Sequence, residues 1–337
     1  MKTYNIAIVG ATGAVGEEIL KILEEQKFPV NDLRFLASSK SLGVEIEAFG
    51  KSYFVEELKR DSFNGIDIAF FSAGGSVSAE FAPYAAQAGA VVIDNTSHFR
   101  MQSDVPLVVS GVNSCDISQW KQRGIIANPN CSTIQMVQVL SPLHQRFKIK
   151  RVDVSTYQAV SGAGKKGMEE LVMQMQKFFA FEMDQIEPNA FPHRIALNLI
   201  PHIDVFMEND YTKEEIKMIN ETNKIMHSDF AISATCVRVP VLRSHSESIT
   251  ICFETEVEAK KAREVLSEAK HIVVCDNPSE KIYPMPIIAT DTDETYVGRI
   301  RNDLYDKKIL HLWCVADQIR VGAATNAVRI AQEWIKL

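Results

Sequence analysis

A chain of 337 residues, 46% hydrophobic and 23% charged, has room for two domains at roughly 150 residues each and the balance of a globular protein with substantial cores. Its net charge of −7, with no Lys/Arg stripe, argues against nucleic acid as a partner, and no apolar run approaches the roughly 20 residues of a membrane span. The six cysteines (115, 131, 236, 252, 275, 314) include no C-x-x-C pair, so neither a zinc site nor a disulfide framework is expected; with no leader ahead of the first strand, the expected location is the cytoplasm.

Tyr4 to Val9 is a short apolar run ending in glycine, and Val15 to Leu23 carries helical periodicity. Leu33 to Ala37 reads as a second strand. Ile66 to Phe71, Ser76 to Ala88 and Val91 to Asp94 continue as strand, helix and strand, and Ile125 to Ala127 is a last short strand before Asn128-Pro129-Asn130. This alternation predicts an α/β domain with a doubly wound parallel sheet. The pattern changes after about residue 145. Arg151 to Tyr157, Ala234 to Val239, Ser248 to Glu254 and Leu310 to Val315 read as longer strands with few helices between them, which suits an antiparallel or mixed sheet in a separate α+β domain. Residues 257–269 form a charged amphipathic helix. Gly322 to Ile335 sets Ala324, Ala327, Val328, Ala331 and Ile335 at helical spacing, predicting a closing helix that packs back on the first domain.

Gly10-Ala11-Thr12-Gly13-Ala14-Val15-Gly16 joins the first strand to the first helix. Glycines there allow a tight turn and close backbone approach, while the helix start offers N–H groups and a positive dipole end to a pyrophosphate. Gly10, Thr12, Gly13, Ala14 and Val15 are therefore candidate nucleotide contacts. After the second strand stands Ala37-Ser38-Ser39-Lys40-Ser41, with no acid to bond a ribose hydroxyl. Ser38, Lys40 and Ser41 suit a 2′-phosphate, favouring NADP over NAD. A second turn, Ser72-Ala73-Gly74-Gly75-Ser76, either borders the cofactor through Ala73 and Gly75 or is a plain helix start with Ser76 as N-cap.

Asn128-Pro129-Asn130-Cys131-Ser132-Thr133 leads into a helix carrying Ile134, Val137 and Leu140, which puts Cys131 at or near a helix N-terminus. An unperturbed thiol, with a pKa near 8.5, is only ~3% ionised at pH 7, and the helix dipole favours the thiolate. The same N–H groups suit an oxyanion formed when sulfur attacks a carbonyl. A reactive cysteine beside a nucleotide-binding half points to a nucleotide-dependent oxidoreductase.

Five segments, in order, resemble the aspartate-semialdehyde dehydrogenase family: Gly10 to Gly16, Asn95-Thr96-Ser97-His98-Phe99-Arg100, Asn128 to Thr133, Tyr157-Gln158-Ala159-Val160-Ser161-Gly162-Ala163-Gly164, and Arg238 to Ser246. They span nearly the whole chain. The resemblance implies a Rossmann-type NADP-binding domain (1–130 plus 318–337) and an α+β catalytic and dimerisation domain (131–317), acting as a homodimer. It implies NADPH-dependent reduction of L-aspartyl 4-phosphate to aspartate 4-semialdehyde with release of phosphate, on the route to lysine, threonine, methionine and diaminopimelate. Cys131 would form the thioester, His245 would serve as acid/base, and Gln158 would orient substrate. Arg238 resembles the clamp for the substrate carboxylate, to which Arg's planar fork is suited, and Arg100 with Lys217 resembles the phosphate-binding pair. Glu214 either receives the substrate ammonium or forms an i,i+3 ion pair with Lys217. Ser161 and Gly162 would approach the nicotinamide.

Two positions depart from the family pattern. Gln318 follows Asp317 where the family often has an Asn that touches the cofactor, and its amide, one methylene further out, is still a candidate cofactor contact; Lys40 stands where Arg is common. The second keeps the charge, loses the fork, and weakens the NADP preference without reversing it. N-acetyl-glutamyl-phosphate reductase is the rival within the architecture, but its cysteine is typically followed by an aromatic residue and proline rather than Ser132-Thr133. A catalytically silent nucleotide sensor would have no need of Cys131, Gln158, Arg238 and His245 together.

Overall fold

Strand β1 (Tyr4–Val9) is buried along almost its whole length, the pattern of a central parallel strand shielded on both faces. The chain, described over residues 2–337 in a computed structural model, continues through α1 (Ala14–Glu25), β2 (Val30–Ala37) and a hairpin of β3 (Glu45–Ala48) and β4 (Lys51–Phe54). There follow β5 (Glu56–Glu57), β6 (Ile68–Phe71), α2 (Gly75–Gln87), β7 (Val91–Asp94) and β8 (Ile125–Ala127). Six strands form one parallel sheet in the order β5-β2-β1-β6-β7-β8. The winding reverses between β1 and β6, and a crevice at the carboxyl ends of strands beside such a reversal is where nucleotides bind. The hairpin and β5 were not foreseen in the sequence; their strands are only two to four residues long, too short to show a period.

A second compact unit comprises Cys131–Val321, while Gly322–Leu337 belongs with the residues up to Asn130. The second unit contains α3 (Cys131–Phe147), β9 (Ile149–Gln158), α4 (Gly164–Phe179), α5 (Lys213–Met226), β10 (Ala231–Arg238), β11 (His245–Phe253) and α6 (Ala259–Glu268). It continues with β12 (Ile272–Val274), α7 (Pro286–Ala289), β13 (Thr295–Asn302) and β14 (Ile309–Ala316). Its six strands pair in the order β10-β9-β11-β14-β13-β12, parallel at both outer pairs and antiparallel between. Val152, Val154, Ile249, Ile251, Leu310 and Leu312 point from this sheet into a core shared with Met136, Val139 and Leu140 of α3.

The expectation of few helices between these strands is corrected by α4 and α5, which both fall between β9 and β10. Both helices are polar overall, so apolar periodicity marks them weakly. The Thr212/Glu215 capping box that starts α5 was the available sign: Thr212 Oγ1 accepts the Glu215 N–H at 3.3 Å, and Glu215 Oε2 accepts the Thr212 N–H at 2.8 Å. The helix expected over 322–335 is regular only as α8 (Asn326–Trp334), after a π-helical stretch at Arg320–Thr325. Its Ala327, Val328, Ile330 and Ala331 join the core of the parallel sheet. Among the described residues, no helix is long and apolar enough to cross a membrane.

Candidate active site

Strand register assembles a row of candidate catalytic residues. Gln158 at the end of β9 is level with Arg238 at the end of β10, and Ser246 is level with Tyr157, which sets His245 at the same end of the sheet. Gln158, Arg238 and His245 are all buried. Helix α3 begins at Cys131, which is half-buried, and the next residue, Ser132, accepts a hydrogen bond from Gln158 Nε2. Arg238 and Cys131 attract one another: burial pulls the guanidinium below its usual range, while Glu214 and then Cys131 work in the opposite direction.

A polar chain leads away from Gln158. Its Nε2 donates to Glu214 Oε1 at 3.1 Å; Glu214 Oε2 pairs with Lys217 Nζ at 3.1 Å, and Lys217 reaches Asp204 Oδ2 at 2.7 Å. Burial disfavours the charge on Lys217, but Glu214 and Asp204 outweigh it and hold the amine above the usual lysine range. The ion pair between Glu214 and Lys217 is therefore present, and the same carboxylate also touches Gln158. Gln158 Oε1 is buried and meets no donor among the described residues, which leaves that amide with an open acceptor.

Ala159 holds two of these side chains through its backbone. Its C=O accepts from Arg238 Nη1 at 2.7 Å, and its N–H donates to His245 Nδ1 at 3.0 Å. Burial, then the neighbouring Arg238, push the imidazole well below the usual histidine range. Gly162 closes this corner, because a Cβ there would lie 2.6 Å from Arg238 Nη1 and 3.3 Å from His245 Nε2.

Gln318 does structural duty within this unit. Its Oε1 accepts the Ser244 N–H at 2.8 Å, and its Nε2 donates to Ser161 Oγ. Ser244, immediately before His245, is buried with φ +75°, a left-handed conformation unfavourable for a residue with a Cβ. A 2.8 Å contact between its Oγ and Thr290 Oγ1 helps to hold it there. Beside it, Arg243 pairs with buried Asp317 at 2.8 Å and with Asp291 at 2.9 Å. Ser132, Ser244, Thr290 and the Arg243–Asp317 pair were missed from the sequence, since no local pattern marks a left-handed serine or a partner so distant in the chain.

Directly beneath the catalytic row, Thr156 is level with Cys236 and Glu247, and Glu247 with Cys314. All four are fully buried, and neither carboxyl oxygen of Glu247 has a hydrogen-bond partner among the described residues. Burial raises its pKa well above the usual carboxyl range, with the Gln135 side chain a lesser opposing influence.

The candidate nucleotide cleft lies in the first unit. A pocket of about 460 Å³ is lined by the carboxyl end of β1 (Val9, Gly10, Thr12), the end of β2 and its following turn (Ala37, Ser38, Ser39, Ser41), and Ala73. Gly10 takes φ +86°, and a Cβ there would press on Ala73 N and Ser72 at 3.0 Å. A Cβ on Gly16 would lie 2.3 Å from the Gly10 carbonyl oxygen. Gly13 caps α1 and has no side chain of its own to bond the helix start, a cradle that fits a pyrophosphate. Ala14 and Val15 form the first turn of α1, and Lys40 stands exposed on the turn between Ser39 and Ser41. In α2 the N-cap is Gly74 at φ +97°, not Ser76, because the turn takes a left-handed residue before Gly75 opens the helix. The pocket also holds Glu57, 3.5 Å from Lys59, an acid that the sequence reading did not place there. Arg100 is buried in the first unit, with Nε donating to Asn128 O at 2.9 Å and Nη2 to Asn95 O at 2.7 Å.

Residues 5–120 match the semialdehyde dehydrogenase NAD binding domain, and residues 140–321 match the semialdehyde dehydrogenase dimerisation domain. The chain is 67% identical to aspartate-semialdehyde dehydrogenase of Campylobacter jejuni, with 100% of this chain and 98% of the relative covered. It is 46% identical to that of Bacillus subtilis, over 99% and 98% of the two chains. Among solved structures, aspartate semialdehyde dehydrogenase II from Vibrio cholerae, complexed with ASA, superposes with a TM-score of 0.97 at 44% identity, over 100% of this chain and 99% of that one. The enzyme from Candida albicans, determined with NADP, gives a TM-score of 0.78 at 25% identity, with 99% of each chain covered.

Proposed function

The chain belongs to the aspartate-semialdehyde dehydrogenase family, and from that premise we propose that it reduces L-aspartyl 4-phosphate to L-aspartate 4-semialdehyde through a thioester on Cys131. The observation that carries this reading is the cluster at the start of α3: a cysteine whose helix dipole favours thiolate, in the field of a buried arginine and beside a glutamine with an open acceptor. Bound NADPH supplies the hydride. Gly10, Thr12, Gly13, Ala14 and Val15 would cradle its pyrophosphate; Ser38, Lys40 and Ser41 would favour its 2′-phosphate. Ala73 and Gly75 would border it, while Ser161 and Gly162 would face the nicotinamide. Gln318, with its amide engaged by Ser244 and Ser161, would support the nicotinamide side through Ser161.

Arg238 would clamp the substrate carboxylate, leaving Lys217 and Arg100 for the phosphate and Glu214 for the ammonium. Gln158 would orient the carbonyl next to sulfur, and His245 is the acid/base group of the site. The enzyme would act in the cytoplasm as a homodimer, in the biosynthesis of lysine, threonine, methionine and diaminopimelate. The match of residues 140–321 to a semialdehyde dehydrogenase dimerisation domain supports the homodimer.

The test is NADPH formation from aspartate semialdehyde with and without inorganic phosphate. The expected result is a strict phosphate requirement and a clear preference for NADP over NAD. NADPH formation without phosphate would overturn the acyl-phosphate reading. Equal or better turnover of the N-acetylated glutamate semialdehyde would overturn the substrate.

A further inference from the structure

Resting on the reading of Lys217 as a phosphate-binding residue, we propose that Asp204 acts through Lys217 as its counterion, competing with the phosphoryl group of the substrate for the ammonium and so setting how tightly phosphate is held. Asp204 Oδ2 lies 2.7 Å from Lys217 Nζ, closer than Glu214 Oε2 at 3.1 Å. An ammonium has three N–H donors, so the two carboxylates leave one for a substrate oxygen. Together they also outweigh its single positive charge, and a phosphate reaching Lys217 meets two negative neighbours as well as the cation. Of the two, Asp204 is the one that can be displaced. Glu214 is buried, and its other oxygen accepts from Gln158 Nε2 at 3.1 Å. The Asp204 side chain is 31% exposed and, among the described residues, otherwise accepts only the adjoining Val205 N–H at 2.9 Å. Burial opposes the charge on Asp204, but Lys217 and the Val205 N–H outweigh it and hold the carboxyl below its usual range. The competing group is therefore a carboxylate at neutral pH.

The fold fixes where this carboxylate stands. Ile200 exchanges backbone hydrogen bonds with Arg238 at 3.0 and 2.8 Å, Ile203 is buried in the core of the mixed sheet, and the Val205 carbonyl accepts the Lys213 N–H at 2.8 Å where α5 begins. Between these anchors Asp204 takes φ +69°, a left-handed geometry that Asp and Asn tolerate better than most residues. One short segment thus joins the strand end that carries Arg238 to the helix that carries Glu214 and Lys217, and its one acid is aimed at the lysine. With the backbone held at both ends, rotation of the Asp204 side chain is enough to free a lysine N–H. A cation opposed in this way holds phosphate loosely, which favours release of phosphate in the reductive direction.

The test compares the full-length wild type with Asp204→Asn and Lys217→Met. Inorganic phosphate is the probe, read by isothermal titration calorimetry and by its KM in NADPH formation from aspartate semialdehyde. Asn keeps the shape and backbone tolerance of Asp and removes the charge. Asp204→Asn should tighten phosphate binding about three- to fivefold, the scale of one partly exposed charge, and lower the KM for phosphate in step. The KM for the aldehyde, which carries no phosphate, should stay within about twofold; a matching drop there would show a general change of the site and overturn the proposal. A purely structural Asp204 would lose affinity on substitution, so the gain is what separates the two roles. Weaker or unchanged phosphate binding in Asp204→Asn overturns the proposal. Lys217→Met should weaken phosphate binding on the order of tenfold or more, as for loss of a charged hydrogen-bond donor. Undiminished affinity there shows that Lys217 does not hold phosphate and overturns the proposal with it. Absence of phosphate-dependent NADPH formation in the wild type would overturn the proposed reaction instead, and the calorimetry reports on Asp204 independently of that outcome.

Discussion

The nucleotide cleft and the catalytic row solve their problems with different materials. In the cleft, backbone does most of the work: Gly10 and Gly16 permit approaches that a Cβ would crowd, and the start of α1 after Gly13 presents N–H groups. In the row, side chains do the work: Gln158, Arg238 and His245 stand at one end of a mixed sheet because three strands keep register, and the backbone of Ala159 holds the last two of them. A site built around short turns is local in sequence at each of its parts and tolerates variation in what surrounds it. A site made from register depends on every strand between its members. The cleft should therefore fail through sterics and cofactor affinity, and the row through chemistry.

The sharpest separation comes from Cys131→Ala. Turnover should fall on the order of 10⁴-fold or more, as for loss of a nucleophile elsewhere, while NADPH affinity measured by fluorescence titration stays within twofold of wild type. Retained turnover would break the covalent mechanism. Gly16→Ala probes the opposite region. Its Cβ would meet the Gly10 carbonyl at 2.3 Å, and backbone cannot step aside as a side-chain tip can. We expect about 1 to 3 kcal/mol of destabilisation in urea melts and at least a tenfold weaker affinity for NADPH, with iodoacetamide reactivity of Cys131 unchanged. Loss of thiol reactivity would show that the two sites are not separable in this way.

Glu247 gives a pH test of the polar row under the catalytic one. Its folded pKa is raised by burial, so the folded state keeps a proton that the unfolded state gives up above the ordinary carboxyl range near 4.3. Its neutral form then costs nothing below that pH, and stability is lost as pH rises from there toward the folded pKa, at up to about 1.4 kcal/mol per pH unit. Glu247→Gln removes that dependence, and should stabilise the protein more at pH 8 than at pH 5 in urea melts. An equal change at both pH values would show that the carboxyl is ionised in the folded protein.

The smallest effect is expected at Glu57. It lines the candidate nucleotide pocket with Ser38, Ser39 and Ser41, its charge partly offset by Lys59 at 3.5 Å. Glu57→Gln should raise the affinity for NADP relative to NAD by about two- to fivefold, the scale of an exposed charge interaction. A shift toward NAD would mean that Glu57 does not face the 2′ position.

What could be read directly from the sequence was local. The glycine turn after β1, the serine-rich turn after β2 and the cysteine after Asn128-Pro129-Asn130 each announce themselves within a few residues, because a strand–turn–helix junction has a short-range signature. Arg238, His245, Lys217 and Gln158 were reachable only through the resemblance, since nothing near any of them marks a site. Tertiary structure alone decided what those residues do to one another. Register brought Gln158 level with Arg238, folding placed the Ala159 N–H on His245 Nδ1, and the left-handed Ser244 was stabilised by Gln318 and Thr290 from far along the chain. The reason is physical. A turn's conformation is set by sterics between neighbours, whereas a side chain's tautomer, charge and orientation are set by whatever the fold brings against it from residues dozens of positions away.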